Sequence, residues 1–235
     1  MDYPGLLELL KKRRSCHSFR PDPVPDDCID KIIEAARWAP SGANSQPWEF
    51  VVVKSKDVKD KIVRLCEEHT TESRLMELTR APELRNPPVA NPPANPEYAD
   101  APVFIILFGD RRTNEAYAKT ALCHFGEIHY ISSLASAFLY MHLAASSLGL
   151  GSQWVSRSAF PGTQCLIKDM LGIPGQLELY EMIAIGYAAR QPQQRLVRET
   201  AEMVHYDHFD KAKFRTNEDI RDFIISLRKQ SLNTR

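Results

Sequence analysis

The stretch from Ile128 to Leu148 constrains this chain more than any other. It is rich in alanine, serine and large apolar residues, it is apolar on nearly every side when wound as a helix, and it stops at Gly149-Leu150-Gly151, a glycine-rich end suited to a helix C-cap. Such a helix must be covered on most of its circumference, by a sheet or by a second subunit. The sheet has an evident centre in Val103-Phe104-Ile105-Ile106-Leu107-Phe108, a continuous apolar run of strand length closed by Gly109-Asp110. Pro47 to Val53 and Leu179 to Tyr187 read as two further strands.

The remaining elements are amphipathic or polar. Residues 4 to 14 carry Leu6, Leu7, Leu9 and Leu10 on a helical stripe that runs into Lys11-Lys12-Arg13-Arg14 and then Ser15-Cys16-His17. Over residues 1 to 20 there are five Lys or Arg against two acids, a local excess in a chain whose 30 basic and 30 acidic residues cancel. Cations at a helix C-terminus are favourable with the dipole, and the same arginines with a serine and a histidine suit a phosphate or an electron-rich ring edge. Pro21, Pro23 and Pro25 force an extended link, after which Asp26 or Asp27 is expected to cap a second helix with Ile29, Ile32, Ile33, Ala36 and Trp38 on its apolar face. That helix runs into the polar turn Pro40-Ser41-Gly42-Ala43-Asn44-Ser45-Gln46, which delivers the chain onto the first strand. Lys56 to Arg80 is helical in period, with a polar break at His69-Thr70-Thr71. Pro82 to Pro102 holds seven prolines and sustains neither helix nor paired strand, so a lid or an excursion is expected there. Ser152 to Ser156 reads as a second polar edge, Cys165 to Leu171 as a short helix, and Asn217 to Lys229 as a final amphipathic helix. No internal repeat is visible.

Charge neutrality removes the general electrostatic case for nucleic acid or anionic membrane as a partner. No run of about 18 apolar residues occurs, and the chain opens Met-Asp-Tyr-Pro-Gly rather than with a basic and apolar leader, so a cytoplasmic location is expected. Five widely spaced cysteines with no Cys-x-x-Cys pair read as reduced packing groups. His205 and His208 beside Asp207 read as a surface feature more readily than as a metal site, and no metal is expected. There is no Gly-x-Ser-x-Gly elbow, His-Glu-x-x-His, P-loop or dinucleotide fingerprint. A bound cofactor is therefore expected to carry the chemistry, phosphorylated and ring-bearing, held by residues 13 to 17, by the turn at 41 to 46 and by an arginine of the tail.

Four segments in one order resemble the FMN-dependent nitroreductase family: Arg13-Arg14-Ser15-Cys16-His17-Ser18-Phe19; Ala39 to Trp48 leading into Phe50-Val51-Val52-Val53; Leu148-Gly149-Leu150-Gly151-Ser152; and Ala184-Ile185-Gly186-Tyr187 followed by the tail arginines. The resemblance implies an α+β fold with a mixed, mostly antiparallel sheet flanked by helices. It implies one domain over 1–235, with a C-terminal extension from about 188, paired as an intertwined homodimer with FMN at the interface. By position, Arg13, Arg14, Ser15 and His17 would hold the cofactor from one subunit, and Pro40, Ser41, Gly42, Asn44 and Gln46 from the other. Gln153, Trp154 and Val155 would line the flavin, chiefly through backbone N–H groups, and Arg198, with Arg195 second, would meet the phosphate. His17 departs from the Arg or Lys usual in the family, and the Glu/Tyr/Lys trio of the deiodinase relatives is not apparent. The implied activity passes electrons from NADH or NADPH through flavin N5 to a small electron-poor acceptor such as a nitroaromatic or quinone, with no catalytic side chain assigned. A reductive dehalogenase or flavin-dependent dehydrogenase, and a non-catalytic flavin binder, are the alternatives.

Overall fold

The computed structural model describes residues 2–68, 75–85, 96–190 and 195–232. They form two units, one from Met1–Thr70 and Pro93–Pro192, the other from Thr71–Pro92 and Gln193–Arg235.

In the larger unit, α1 (Tyr3–Lys12) starts at Asp2, whose carboxylate accepts from Gly5 N at 3.0 Å, and ends on Lys11 and Lys12, each charge matched to the dipole. None of its residues is fully buried. α2 (Asp26–Arg37) has Pro25 at the cap position, so Asp26 and Asp27 lie inside the first turn, and neither caps the helix as the sequence suggests. They act on the dipole instead, and Asp27 pairs with Lys31 one turn on.

The sheet has four strands in the order β1 (Trp48–Val53), β2 (Val103–Asp110), β4 (Leu177–Gly186), β3 (Gly151–Val155), every neighbouring pair antiparallel. β2 is central, and its unbroken apolar run follows from burial on both faces. Val103, Ile105 and Leu107 enter the core under α2 and the long helix, whereas Phe104, Ile106 and Phe108 enter a second core with Ile62, Cys66 and Ile167 of α3 (Lys56–Glu68) and α5 (Pro161–Leu171). The sheet is an α+β layer covered by helices on each side. β3 corrects the reading of 152–156 as a polar edge: Gly-Ser-Gln-Trp-Val has no strand alternation, and pairing with β4 makes it a strand.

α4 (Lys119–Ser147) begins nine residues before the apolar stretch and spans about 43 Å at the helical rise. It ends in a Schellman motif, with Leu150 N donating to Ala145 O at 2.9 Å, Gly149 N to Ser146 O at 3.2 Å, and Gly149 at φ +75°. Tyr130, Leu134, Phe138 and Met141 are buried against the sheet, while Phe125, Ile128, Ile131 and Leu139 remain exposed.

In the smaller unit, α6 (Thr200–Met203) is one turn, and α7 (Asn217–Leu232) opens on a reciprocal box in which Asp219 N donates to Thr216 Oγ1 and Thr216 N to Asp219 Oδ2. Arg221 pairs with Glu83. Residues 86–95 of the expected lid and the expected helix break at 69–71 lie outside the described residues.

Candidate active site

Two of the expected site segments meet at the β3 edge. Ser15 forms a parallel bridge with Ser152, and Cys16 N donates to Ser152 O at 2.9 Å, so residues 13–17 continue the sheet beyond β3. This seats Arg13 and Arg14 half-buried and Ser15 and His17 exposed along one edge. Gly151 is required there: a Cβ on it would lie 2.8 Å from Cys16 Sγ. The Gln153 side chain comes within 3.4 Å of His17 Nδ1, and that same nitrogen meets the Glu97 carboxylate. Gln153 Oε1 is buried with no hydrogen-bond partner among the described residues. Val155 turns its side chain into the second core, which leaves only its backbone for a ligand.

Behind this edge lies a buried polar cluster that sequence reasoning missed. His142 Nδ1 is 2.7 Å from Ser152 Oγ, and its Nε2 has no partner among the described residues. Burial, with the Arg13 charge second, lowers the imidazole to about 4, so it is neutral at physiological pH. The Trp154 ring stacks on His142 at 5.9 Å and donates to Glu181, whose carboxyl burial pushes upward. A lone histidine on an apolar helix carries no signal that separates it from core, and Glu181 sits mid-strand where alternation offers no flag.

The turn at Pro40–Gln46 is built differently. Ala43, Asn44 and Gln46 all have positive φ, at 52°, 52° and 46°, a conformation that costs non-glycine residues of order 1 kcal/mol each. It is held by Gln46 N donating to Ser41 Oγ, by Asn44 N to Ser41 O, and by Gly42 N to Ser133 Oγ at 3.2 Å on α4. Gly42 sits so close to the residues before and in α4 that a Cβ would lie 2.1 Å from Tyr117 Oη, a buried hydroxyl with no partner among the described residues, and 3.1 Å from His129 Cβ. His129 Nδ1, beside it, is likewise buried and has no hydrogen-bond partner among the described residues.

The two halves stand at diagonal corners of the sheet. Ser152 is level with Ile185 and Val103, whereas the turn enters β1 at Trp48, level with Gly109. Six residues along the strands and three strand spacings across separate them, about 20 Å by about 14 Å. One ligand the size of a mononucleotide does not touch both corners of one chain. Arg195 and Arg198 belong to the smaller unit, where Arg195 is exposed and Arg198 donates to Glu202 Oε2 and O at 3.3 and 3.1 Å.

A cleft of about 980 Å³ opens elsewhere in the larger unit, beside Phe19, Lys59 and Pro102. Its three lysines are engaged: Lys54 pairs with Asp26, Lys56 with Asp60, and Lys59 donates to Ala101 O at 2.6 Å. It shares no residue with either corner. Among the described residues no group of three or more His, Cys, Asp or Glu is arranged to hold a metal, and His205 of the expected surface trio accepts from Asp210 N and stacks on Phe209.

Residues 10–187 match the nitroreductase family. The chain is 32% identical over 191 residues to iodotyrosine deiodinase 1 of Rattus norvegicus, an alignment that covers 78% of this chain and 62% of the deiodinase, so the chain spans about three fifths of that relative's length. It also superposes on an FMN-dependent nitroreductase of Clostridium difficile R20291 with a TM-score of 0.64 at 23% identity, over 86% of this chain and 99% of that one. A structure of oxidized iodotyrosine deiodinase bound to FMN and 3-iodo-L-tyrosine superposes with a TM-score of 0.65 at 23% identity, over 87% and 100% of the two chains.

Proposed function

The chain belongs to the nitroreductase family, and from that membership we propose that it is an FMN-dependent oxidoreductase acting as a homodimer. The observation that carries the reading is the separation of the two half-sites: a clamp at 13–17 with Gln153, and an arm at 40–46, each shaped for a ligand and neither complete alone. A second copy, placed so that its arm reaches the first copy's clamp, joins them. It would also cover the apolar face that Phe125, Ile128, Ile131 and Leu139 expose on α4.

The donor set fits FMN. Arg13 and Arg14 supply two permanent cations for its phosphate, to which the resemblance adds Arg198, with Arg195 as second choice, and Gln153 offers a buried amide oxygen that is unmet among the described residues. The arm would bring backbone and the short side chains of Ser41 and Asn44 to the cofactor, and the backbone of Gln153, Trp154 and Val155 would line it. When bound, FMN supplies an electron relay between a reduced nicotinamide, NADH or NADPH, and an electron-poor acceptor. The protein's part is to orient the ring, to exclude water, and to place cations and N–H groups where negative charge collects. The five cysteines are unpaired, which supports a reducing compartment, the cytoplasm. No described helix is long and apolar enough to cross a membrane.

A nitroaromatic or quinone is the proposed acceptor. The similarity to the rat deiodinase favours a second reading, reductive dehalogenation of a halogenated phenol. Anaerobic addition of NADH or NADPH to the FMN-loaded protein should bleach the flavin, and reoxidation by menadione, a nitrofuran or 3-iodotyrosine then separates the acceptors. A protein that binds FMN yet is bleached by neither nucleotide is not the proposed enzyme, and one that takes up no FMN overturns the whole reading.

A further inference from the structure

We propose that Glu97 is a positioning residue that fixes the tautomer of His17, so that His17 Nε2 and the Gln153 amide are left for the ligand. The proposal rests on the FMN reading above for the identity of that ligand, but not for the geometry.

A ring nitrogen offers either a proton or a lone pair. His17 Nδ1 meets both Glu97 Oε2 and Gln153 Nε2. An ionised carboxylate only accepts, so while the Glu97 contact stands Nδ1 carries the proton, and the Gln153 N–H at 3.4 Å has no lone pair to donate to. Turning the Gln153 amide over brings its oxygen toward Nδ1–H but leaves its NH₂ as the orphan instead. In either orientation one end of a buried amide is unsatisfied, and the Gln153 oxygen as placed has no partner. An unmet buried polar group destabilises the empty site, and a ligand at this edge removes that cost.

The same logic governs the other side of the ring. With Nδ1 protonated by its pairing, Nε2 of the neutral imidazole is an acceptor and Nε2–H of the imidazolium is a donor. The position that the resemblance expects to hold Arg or Lys therefore keeps a directed polar group, and the direction is set by an acid 80 residues away. The Ser15–Ser152 bridge and the Cys16 N to Ser152 O bond hold the two backbones side by side, so the ring and the amide are fixed relative to each other. Glu97 and His17 are both solvent-exposed, and substituting either removes no core packing.

Protein carrying ¹⁵N-histidine tests this. Without FMN, the wild-type His17 ring should show a protonated Nδ1. Glu97→Ala should move the proton to Nε2, and Glu97→Gln, whose amide oxygen still accepts, should keep it on Nδ1. FMN binding, read by fluorescence quenching, should weaken about three- to tenfold in Glu97→Ala, the worth of one net hydrogen bond, and much less in Glu97→Gln. The double variant Glu97→Ala/His17→Ala should lose less affinity than the two single losses added together, because Glu97 acts on the ligand through the ring. An unprotonated Nδ1 in the wild type, an unchanged tautomer in Glu97→Ala, or additive losses in the double variant would each overturn the proposal. If the wild type binds no FMN, the cofactor reading fails separately, and the ring spectra alone then decide whether Glu97 sets the tautomer.

Discussion

Residues 13–17 and residues 40–46 serve one proposed ligand by opposite means. At the first corner the backbone is relaxed, paired to β3, and the work falls to side chains: two guanidinium groups, a hydroxyl and an imidazole. At the second the side chains are short or turned outward and the backbone is strained, with three positive-φ residues pinned to α4 through Ser133. The first corner recognises charge and should respond to salt and charge substitution. The second recognises shape and should respond to a single carbon atom.

The sharpest break of that contrast is at the charged corner. Arg13→Ala/Arg14→Ala should weaken FMN binding at least a hundredfold, since each charge-assisted bond is worth about 1.5–3 kcal/mol, and should flatten the dependence of Kd on ionic strength. A Kd unchanged by both substitutions removes the clamp from the site. At the shaped corner, Gly42→Ala places a methyl 2.1 Å from Tyr117 Oη and should cost about 1–3 kcal/mol of stability together with FMN affinity. Adding Tyr117→Phe removes the clashing oxygen and should recover most of both, read by thermal unfolding and by flavin titration. Combining the corners tests the pairing itself. Subunits carrying Arg13→Ala/Arg14→Ala, refolded with subunits carrying Gly42→Ala, should restore about a quarter of wild-type sites, because a mixed pair holds one intact clamp facing one intact arm. Recovery of none places both corners in one chain's site.

The polar cluster behind the clamp gives a smaller, pH-dependent effect. Burial lowers His142 from 6.5 to about 4, so the folded state resists a proton that the unfolded chain accepts. That preference is cost-free above pH 6.5 and destabilises progressively as pH falls toward 4, by about 3 kcal/mol in full. Glu181, raised by burial, has the opposite slope, favouring the fold at low pH and losing that contribution as pH rises. Urea unfolding of His142→Gln between pH 4.5 and 7 should therefore show a flatter acid limb than wild type. The smallest expected effect is at Ala43. Glycine there relieves the φ of 52° and should add up to about 1 kcal/mol of stability, while FMN affinity drops two- to threefold as the arm loses its pre-set shape.

What was legible in the sequence follows the same division. β2 declared itself because burial on both faces leaves no polar residue in the pattern, and the second half of α4 because its apolar residues run round nearly its whole circumference. The first turns of α4 did not, since Lys119 to Glu127 mixes Thr, His and Gly126 with apolar residues, and the sheet and its neighbours stabilise a helix that local preference leaves weak. β3 was hidden for the converse reason, its five residues being strand only through β4. The residues of both corners were named, and the resemblance assigned them to different subunits, but their places at diagonal corners of the sheet were not legible, because register across four strands is a tertiary property. Glu97 was invisible, an acid in a proline-rich stretch whose partner lies 80 positions upstream.

The exposed stripe on α4 has a consequence for how the fold is measured. With Phe125, Ile128, Ile131 and Leu139 open to water in a single copy, association in the proposed homodimer becomes part of folding. Stability is then a bimolecular quantity. The melting temperature should climb as the protein is concentrated, and dilution should dismantle sites and shed FMN before it unfolds a helix.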